Sequence, residues 1–248
     1  MNFVKAQDGP AQNSEPDSLF PLPPLPENAG HGSSPQENSE EPASDEVEAS
    51  FDQAVDAAQA GRNEDAMFMY RTILRASPAH VRARNNLGLL LDLMGDHAVA
   101  LEHFRAALQI EPHNPTVLAN LGATLGSLGR YDEAESRLHE AIGMDPESTE
   151  ARVNLGILHM RRGLYGEAEA ELRRVAEREP NHATAHLFRG KALNRLGRVD
   201  EALDALAQAA RLRPSDPQAF HLMGILYDRK GLPQEAAVMY RRAQSLVR

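Results

Sequence analysis

The chain has 248 residues and neither cysteine nor tryptophan, which excludes a disulfide framework, a thiol nucleophile and any Cys-ligated metal site. Aromatic residues make up only 5% of it, so the core must be built from Leu, Ala, Ile, Val and Met, a set suited to closely packed helices. The net charge of −10 is localised: residues 1–48 hold ten of the 36 acids and one of the 26 bases, leaving 26 acids against 25 bases elsewhere, a balance that argues against nucleic acid as a partner.

Residues 1–46 are rich in Pro, Ser, Asn, Glu and Gly and predict a disordered acidic tail, because such a segment buries too little apolar surface to offset its chain entropy. Its start offers Lys5 and no apolar stretch, so no secretory leader is expected. Nowhere does a run of about 18 apolar residues occur, which predicts no membrane insertion and a cytoplasmic protein. One island, Leu19-Phe20-Pro21-Leu22-Pro23-Pro24-Leu25-Pro26, favours polyproline II and reads as either a stiff spacer or a docking motif.

Beyond residue 46 the chain repeats. Pro78, Pro112, Pro146, Pro180 and Pro214 are evenly spaced at 34 residues. Placing them at position 32 of a 34-residue unit predicts six units: 47–80, 81–114, 115–148, 149–182, 183–216 and 217–248. Position 15 is then glycine six times (Gly61, Gly95, Gly129, Gly163, Gly197, Gly231) and position 20 alanine six times. Position 8 is Ala54 and then glycine five times, from Gly88 to Gly224. Positions 2–14 and 18–31 carry apolar residues at helical spacing, as in Leu87, Leu90, Leu91 and Met94. The glycine at 15 ends the first helix, the proline ends the second, and small residues at 8 and 20 let the pair approach closely. One pair cannot bury its own apolar stripe and stacked pairs can, so the period predicts an all-α solenoid. Ser50, Gln53 and Ala57 replace larger residues in unit one, which reads as an N-terminal cap. At the far end Met239, Leu246 and Val247 are expected to stay uncovered, a candidate surface for homo-oligomer formation.

Asn120-Leu121-Gly122 and Asn154-Leu155-Gly156, with Gly129-Arg130-Tyr131-Asp132-Glu133-Ala134, closely resemble the tetratricopeptide-repeat pattern. The resemblance covers 47–248 and implies a right-handed superhelical solenoid of six helix-turn-helix repeats. At position 4 the family's large aromatic is kept as Phe220 in the last unit and replaced by Arg84, Leu118, Arg152 and His186 elsewhere.

No nucleotide, nucleophile-elbow or zincin motif occurs, and no cofactor is expected. The four-apart pair His182 and His186 lacks an evident third ligand, so no metal site is assigned. The chain is thus read as non-catalytic.

The resemblance implies a concave groove lined by the first helix of each pair. Position 6 supplies Asn86, Asn120 and Asn154, similar to the asparagine ladder of O-linked N-acetylglucosamine transferases, where amides hold an extended chain by donating to and accepting from its backbone. Ala123, Ile157 and Met160 are expected to form an apolar floor, with Arg161, Lys191, Arg195 and Arg229 beside it to take carboxylates. A chaperone-tail carboxylate clamp is disfavoured, since position 5 carries no lysine. The expected function is a protein–protein scaffold holding an acidic or aliphatic extended segment. Alternatives are self-assembly through the C-terminal end and an accessory subunit that positions a catalytic partner. The tail is itself a candidate occupant: as a coil, the roughly 20 residues between Pro26 and Glu46 span on the order of 25 Å.

Overall fold

The computed structural model of the protein describes residues 41–247, with side chains from Asp45 onward. The tail disorder and the Leu19–Pro26 island lie outside the described residues. Among these residues twelve helices follow one another in six pairs: α1 (Glu41–Gln59) with α2 (Asn63–Ala76), α3 (Val81–Leu93) with α4 (His97–Ile110), α5 (Pro115–Ser127) with α6 (Tyr131–Met144), α7 (Thr149–Arg162) with α8 (Tyr165–Arg178), α9 (Ala183–Arg195) with α10 (Val199–Leu212), and α11 (Pro217–Arg229) with α12 (Pro233–Leu246). Among the described residues there is no strand. The fold is an all-α solenoid.

Five first helices begin at residues 81, 115, 149, 183 and 217, the opening positions of their units. The first of all differs. α1 begins at Glu41, six residues ahead of residue 47, so the end of the acidic segment is helical.

Each column of the repeat has a visible structural cause. α7 ends at Gly163, whose φ of 77° is left-handed and whose N–H caps the helix carbonyls. The other five glycines at position 15 also have positive φ, between 72° and 87°. Position 8 is small because position 24 is large: a methyl group on Gly122 would sit 2.7 Å from Leu138 Cγ, and one on Gly156 2.7 Å from Leu172 Cγ. The alanines at position 20 are fully or almost fully buried, for the same reason of close approach. α2, α4, α6, α8 and α10 all stop two residues before their proline, as expected where the preceding residue must leave the helical region.

The joints between units are tied twice. His80, Asn114, Ser148, His182 and Asp216 each cap the following helix, accepting a backbone N–H at 2.9–3.3 Å. Position 4 then closes a second clasp. Arg84 donates to the Pro78 carbonyl, Arg152 to the Pro146 carbonyl at 3.0 Å, and His186 Nε2 lies 3.0 Å from the Pro180 carbonyl. Three of the departures from an aromatic at position 4 are therefore polar side chains that satisfy carbonyls near the helix-ending proline, while the fourth, Leu118, is buried in the core.

Every second helix packs on the first helix of the next unit, α2 on α3 through α10 on α11, which buries the stripes the individual pairs leave open. First helices also touch each other in succession, α3 with α5, α5 with α7, α7 with α9 and α9 with α11. Second helices make no comparable contacts among the described residues, so the first helices form the inner row of the curve.

Candidate functional site

The inner row brings the candidate residues into one line and divides them into two sets. In the N-terminal half the position-6 amides lie inside the protein: Asn86, Asn120 and Asn154 are 0%, 3% and 2% exposed. Two of the three are engaged within the chain. Asn120 Nδ2 donates to Asn85 Oδ1 at 2.8 Å, Asn85 Nδ2 to Asn86 Oδ1 at 3.2 Å, and Asn86 Nδ2 to the Tyr70 hydroxyl at 3.2 Å. This relay runs from α5 through α3 to α2 and so ties three units together. Burial raises the Tyr70 phenol above its usual pKa, against the opposing effects of the Asn86 bond and Arg82, so it stays a neutral group at the relay's end. Asn154 Nδ2 is buried with no acceptor in the protein. A ladder that holds a ligand backbone needs accessible amides, and in this structure these three are enclosed. Asn120 meets Asn85 of the neighbouring first helix and Asn86 meets Tyr70 of α2, contacts that take up these amides within the packed units.

The apolar floor is similarly enclosed. Ile157 is fully buried and Ala123 nearly so, both packed with Val153, Val175 and Phe188, while Met160 is half-buried.

The cations of the C-terminal half reach the surface. Arg195 and Arg229 are exposed, Arg161 and Lys191 half-buried. Each donates a hydrogen bond to a neutral oxygen. Arg161 donates to the Gly126 carbonyl at 2.8 Å, Lys191 to Gln218 Oε1 at 3.0 Å, Arg195 to the Tyr165 hydroxyl at 2.6 Å, and Arg229 to Asn194 Oδ1. Aromatic faces add support, with Lys191 Nζ 4.6 Å from the Phe188 ring centre and the Arg195 guanidinium 5.0 Å from that of Tyr165. Position 13 reaches back to position 12 of the preceding unit in both Arg161–Gly126 and Arg229–Asn194. The guanidinium groups are thus held in place along the row without a carboxylate in these bonds.

His182 and His186 serve the unit joint, one as a helix cap and the other on the Pro180 carbonyl. Burial lowers the His182 pKa, although Glu179 and Glu150 oppose the shift, and this keeps the ring nitrogen free to accept the Ala185 N–H. No cluster of three or more His, Asp or Glu side chains suited to a metal occurs among the described residues.

Two features escaped the sequence reading. Asn85, at position 5, is the middle of the amide relay, and the adjacent pair Asn85-Asn86 was the available signal. Phe68, at position 22, is 65% exposed, and with Val47 and Met69 it lines a groove of about 400 Å³ between α1 and α2. Its signal was the contrast with Glu102, Ser136 and Asp204 at the same position of later units. At the other end, α12 exposes Val238 and α12's cap residue Val247 is 75% exposed, while Met239 and Leu246 are half-buried. None of the described helices is long and apolar enough to cross a membrane.

Family models for the tetratricopeptide repeat match residues 51–115, 120–176 and 155–217, and a further one matches 93–138. No curated protein matches the sequence significantly. Among solved structures, MamA is similar at 25% identity over 64% of this chain and 94% of that one, with a TM-score of 0.56. PilF of Pseudomonas aeruginosa aligns over 82% and 98% of the two chains at 21% identity and a TM-score of 0.67. The Cut9–Hcn1 complex of the APC/C gives a TM-score of 0.76 at 16% identity, over 81% of this chain and 40% of that one. Proteins of this type are in general non-catalytic modules for protein–protein interaction. With helical pairs recurring every 34 residues, the glycine, alanine and proline columns and models matching well over half its length, the chain belongs to the tetratricopeptide-repeat family.

Proposed function

We propose that the protein is a non-catalytic scaffold that holds an acidic, extended segment of a partner protein against the C-terminal half of its inner row. The observation that carries this reading is the placement of Arg195 and Arg229, both exposed, both at position 13 of successive units, and both held by neutral oxygens. A carboxylate arriving from a partner takes two parallel hydrogen bonds from such a guanidinium without displacing an existing ion pair. Arg161 and Lys191 extend the same positive line, and half-buried Met160 supplies an adaptable apolar contact beside it. Asn86, Asn120 and Asn154 support the row from within rather than touching the segment.

The test is binding of acidic, neutral and basic 12-residue peptides of matched hydropathy, measured at several salt concentrations. Acidic peptides should bind tightest, weaken with salt, and lose their advantage in Arg195→Glu/Arg229→Glu. Basic peptides binding as well as acidic ones would overturn the reading.

A second reading rests on the exposed valines of the C-terminal end. Self-association through Val238 and Val247 predicts a concentration-dependent mass in light scattering that Val238→Asp removes. A constant monomer mass excludes it.

A further inference from the structure

Unit one differs from the other units on its outer surface. At positions 4 and 7 it has Ser50 and Gln53, where units three and four have Leu118 and Arg152, then Leu121 and Leu155. This missing bulk opens the groove of about 400 Å³ between α1 and α2. Its other wall is apolar where the second and third units are polar: Phe68 and Met69 stand where those units have Glu102 and His103, then Ser136 and Arg137, while the last unit again carries an apolar pair, Val238 and Met239. The hydroxyls in the walls are already used, since Ser50 Oγ donates to the Glu46 carbonyl at 2.8 Å and Thr72 Oγ1 to the Phe68 carbonyl at 3.0 Å. The groove therefore presents mainly apolar surface, with the Gln53 amide and the Glu46 carboxylate as the remaining polar groups of its lining.

We propose that this groove is the docking site of residues Leu19–Pro26 of the same chain. That segment has matching chemistry. Four of its eight residues are prolines, which carry no N–H that needs an acceptor, and the other four are Leu19, Phe20, Leu22 and Leu25. An extended proline-rich strand is slim enough for a space left by two shortened side chains, whereas a helix is about 10 Å across and would bury the Gln53 amide under apolar surface. The connection also fits. Residues 27–40 are about 14 residues, which as a coil span roughly 20 Å, and the groove lining on α1 lies about 7–18 Å along the helix from Glu41. Tethering at that length gives an effective concentration in the millimolar range, so a contact that is weak in trans is occupied in cis. The tail thus covers the end face of the solenoid and leaves the inner row to a partner.

The experiment places a benzoylphenylalanine photo-crosslinker at Phe68 in the full chain and maps its products by mass spectrometry in a mixture of isotope-labelled and unlabelled protein. The expected products join position 68 to residues 19–26 within one molecule: a millimolar tether against a contact of ~0.1 mM keeps the groove about nine-tenths occupied, and Leu22→Asp/Leu25→Asp, by weakening that contact about a hundredfold, reduces the products about tenfold. Hydrogen exchange on the unmodified chain gives a second readout: amides of residues 46–53 should exchange faster in Leu22→Asp/Leu25→Asp than in the natural sequence. Products that join position 68 to α12 of another copy, or yields to residues 19–26 that the double substitution leaves unchanged, would overturn the proposal. Unchanged exchange of residues 46–53 would do so as well.

Discussion

The two halves of the inner row use one column for opposite purposes. In α3 and α5, position 6 and its neighbour carry amides that face inward and bond to each other, from Asn120 through Asn85 and Asn86 to Tyr70. In α9 and α11 the same position is Phe188 and Leu222, and the polar chemistry has moved to position 13, where Arg195 and Arg229 point to the surface. A polar residue on the first helix is therefore not by itself a groove residue. Its position on the helix surface decides whether it joins units together or meets a partner.

The largest expected effect breaks the N-terminal half. Asn120→Ala removes the donor to Asn85 and leaves a buried carbonyl oxygen unsatisfied, which should cost about 2 kcal/mol of stability in denaturant unfolding. A double-mutant cycle with Asn85→Ala should return a coupling of about 1 kcal/mol, whereas additive losses would mean the relay carries no pairwise energy. Asn154→Leu should behave differently, staying within about 1 kcal/mol of the natural protein, because its amide nitrogen has no protein acceptor to lose. Gly156→Ala tests the boundary between the halves. Its new methyl meets Leu172 Cγ at 2.7 Å, so a loss of about 1–2 kcal/mol is expected, and Leu172→Ala in the same chain should relieve the clash while adding its own cavity cost.

A smaller effect concerns acid. His182 caps α9 as an acceptor, and burial holds its pKa below the ordinary 6.5. The unfolded chain then takes up the proton first, so the contribution of His182 is complete above about pH 6.5 and is lost as pH falls through the lower folded pKa. His182→Asn keeps an acceptor at the cap and should flatten that part of the stability–pH curve. An unchanged slope would remove His182 as its cause. Smallest of all in stability is Arg229→Ala, expected within about 0.5 kcal/mol because the residue is exposed, even as acidic-peptide affinity falls several-fold.

Much of this architecture was legible in the sequence because it depends on columns that tolerate few side chains. Gly163 needs a positive φ, Gly156 must clear Leu172, and each proline ends a helix two residues earlier, so period and chemistry point to the same places. The burial of Asn86 and Asn120 was not legible, because their partners, Tyr70 and Asn85, belong to neighbouring units and no single unit encodes how units pack. Capping by His80 and His182 was hidden for a related reason, since imidazole replaces the usual Asn, Ser or Asp of Asn114, Ser148 and Asp216.

The bond from Arg229 back to Asn194 has a mechanical meaning. It spans the gap between two successive first helices, so it acts as a strut across the inside of a bend. A partner carboxylate that draws the guanidinium toward itself must slacken that strut, and the two units it braced then become easier to splay. Occupying this part of the row thus alters the bending stiffness of the rod as well as filling a surface. A force-extension trace taken with and without an acidic peptide would register the guest as a change in compliance.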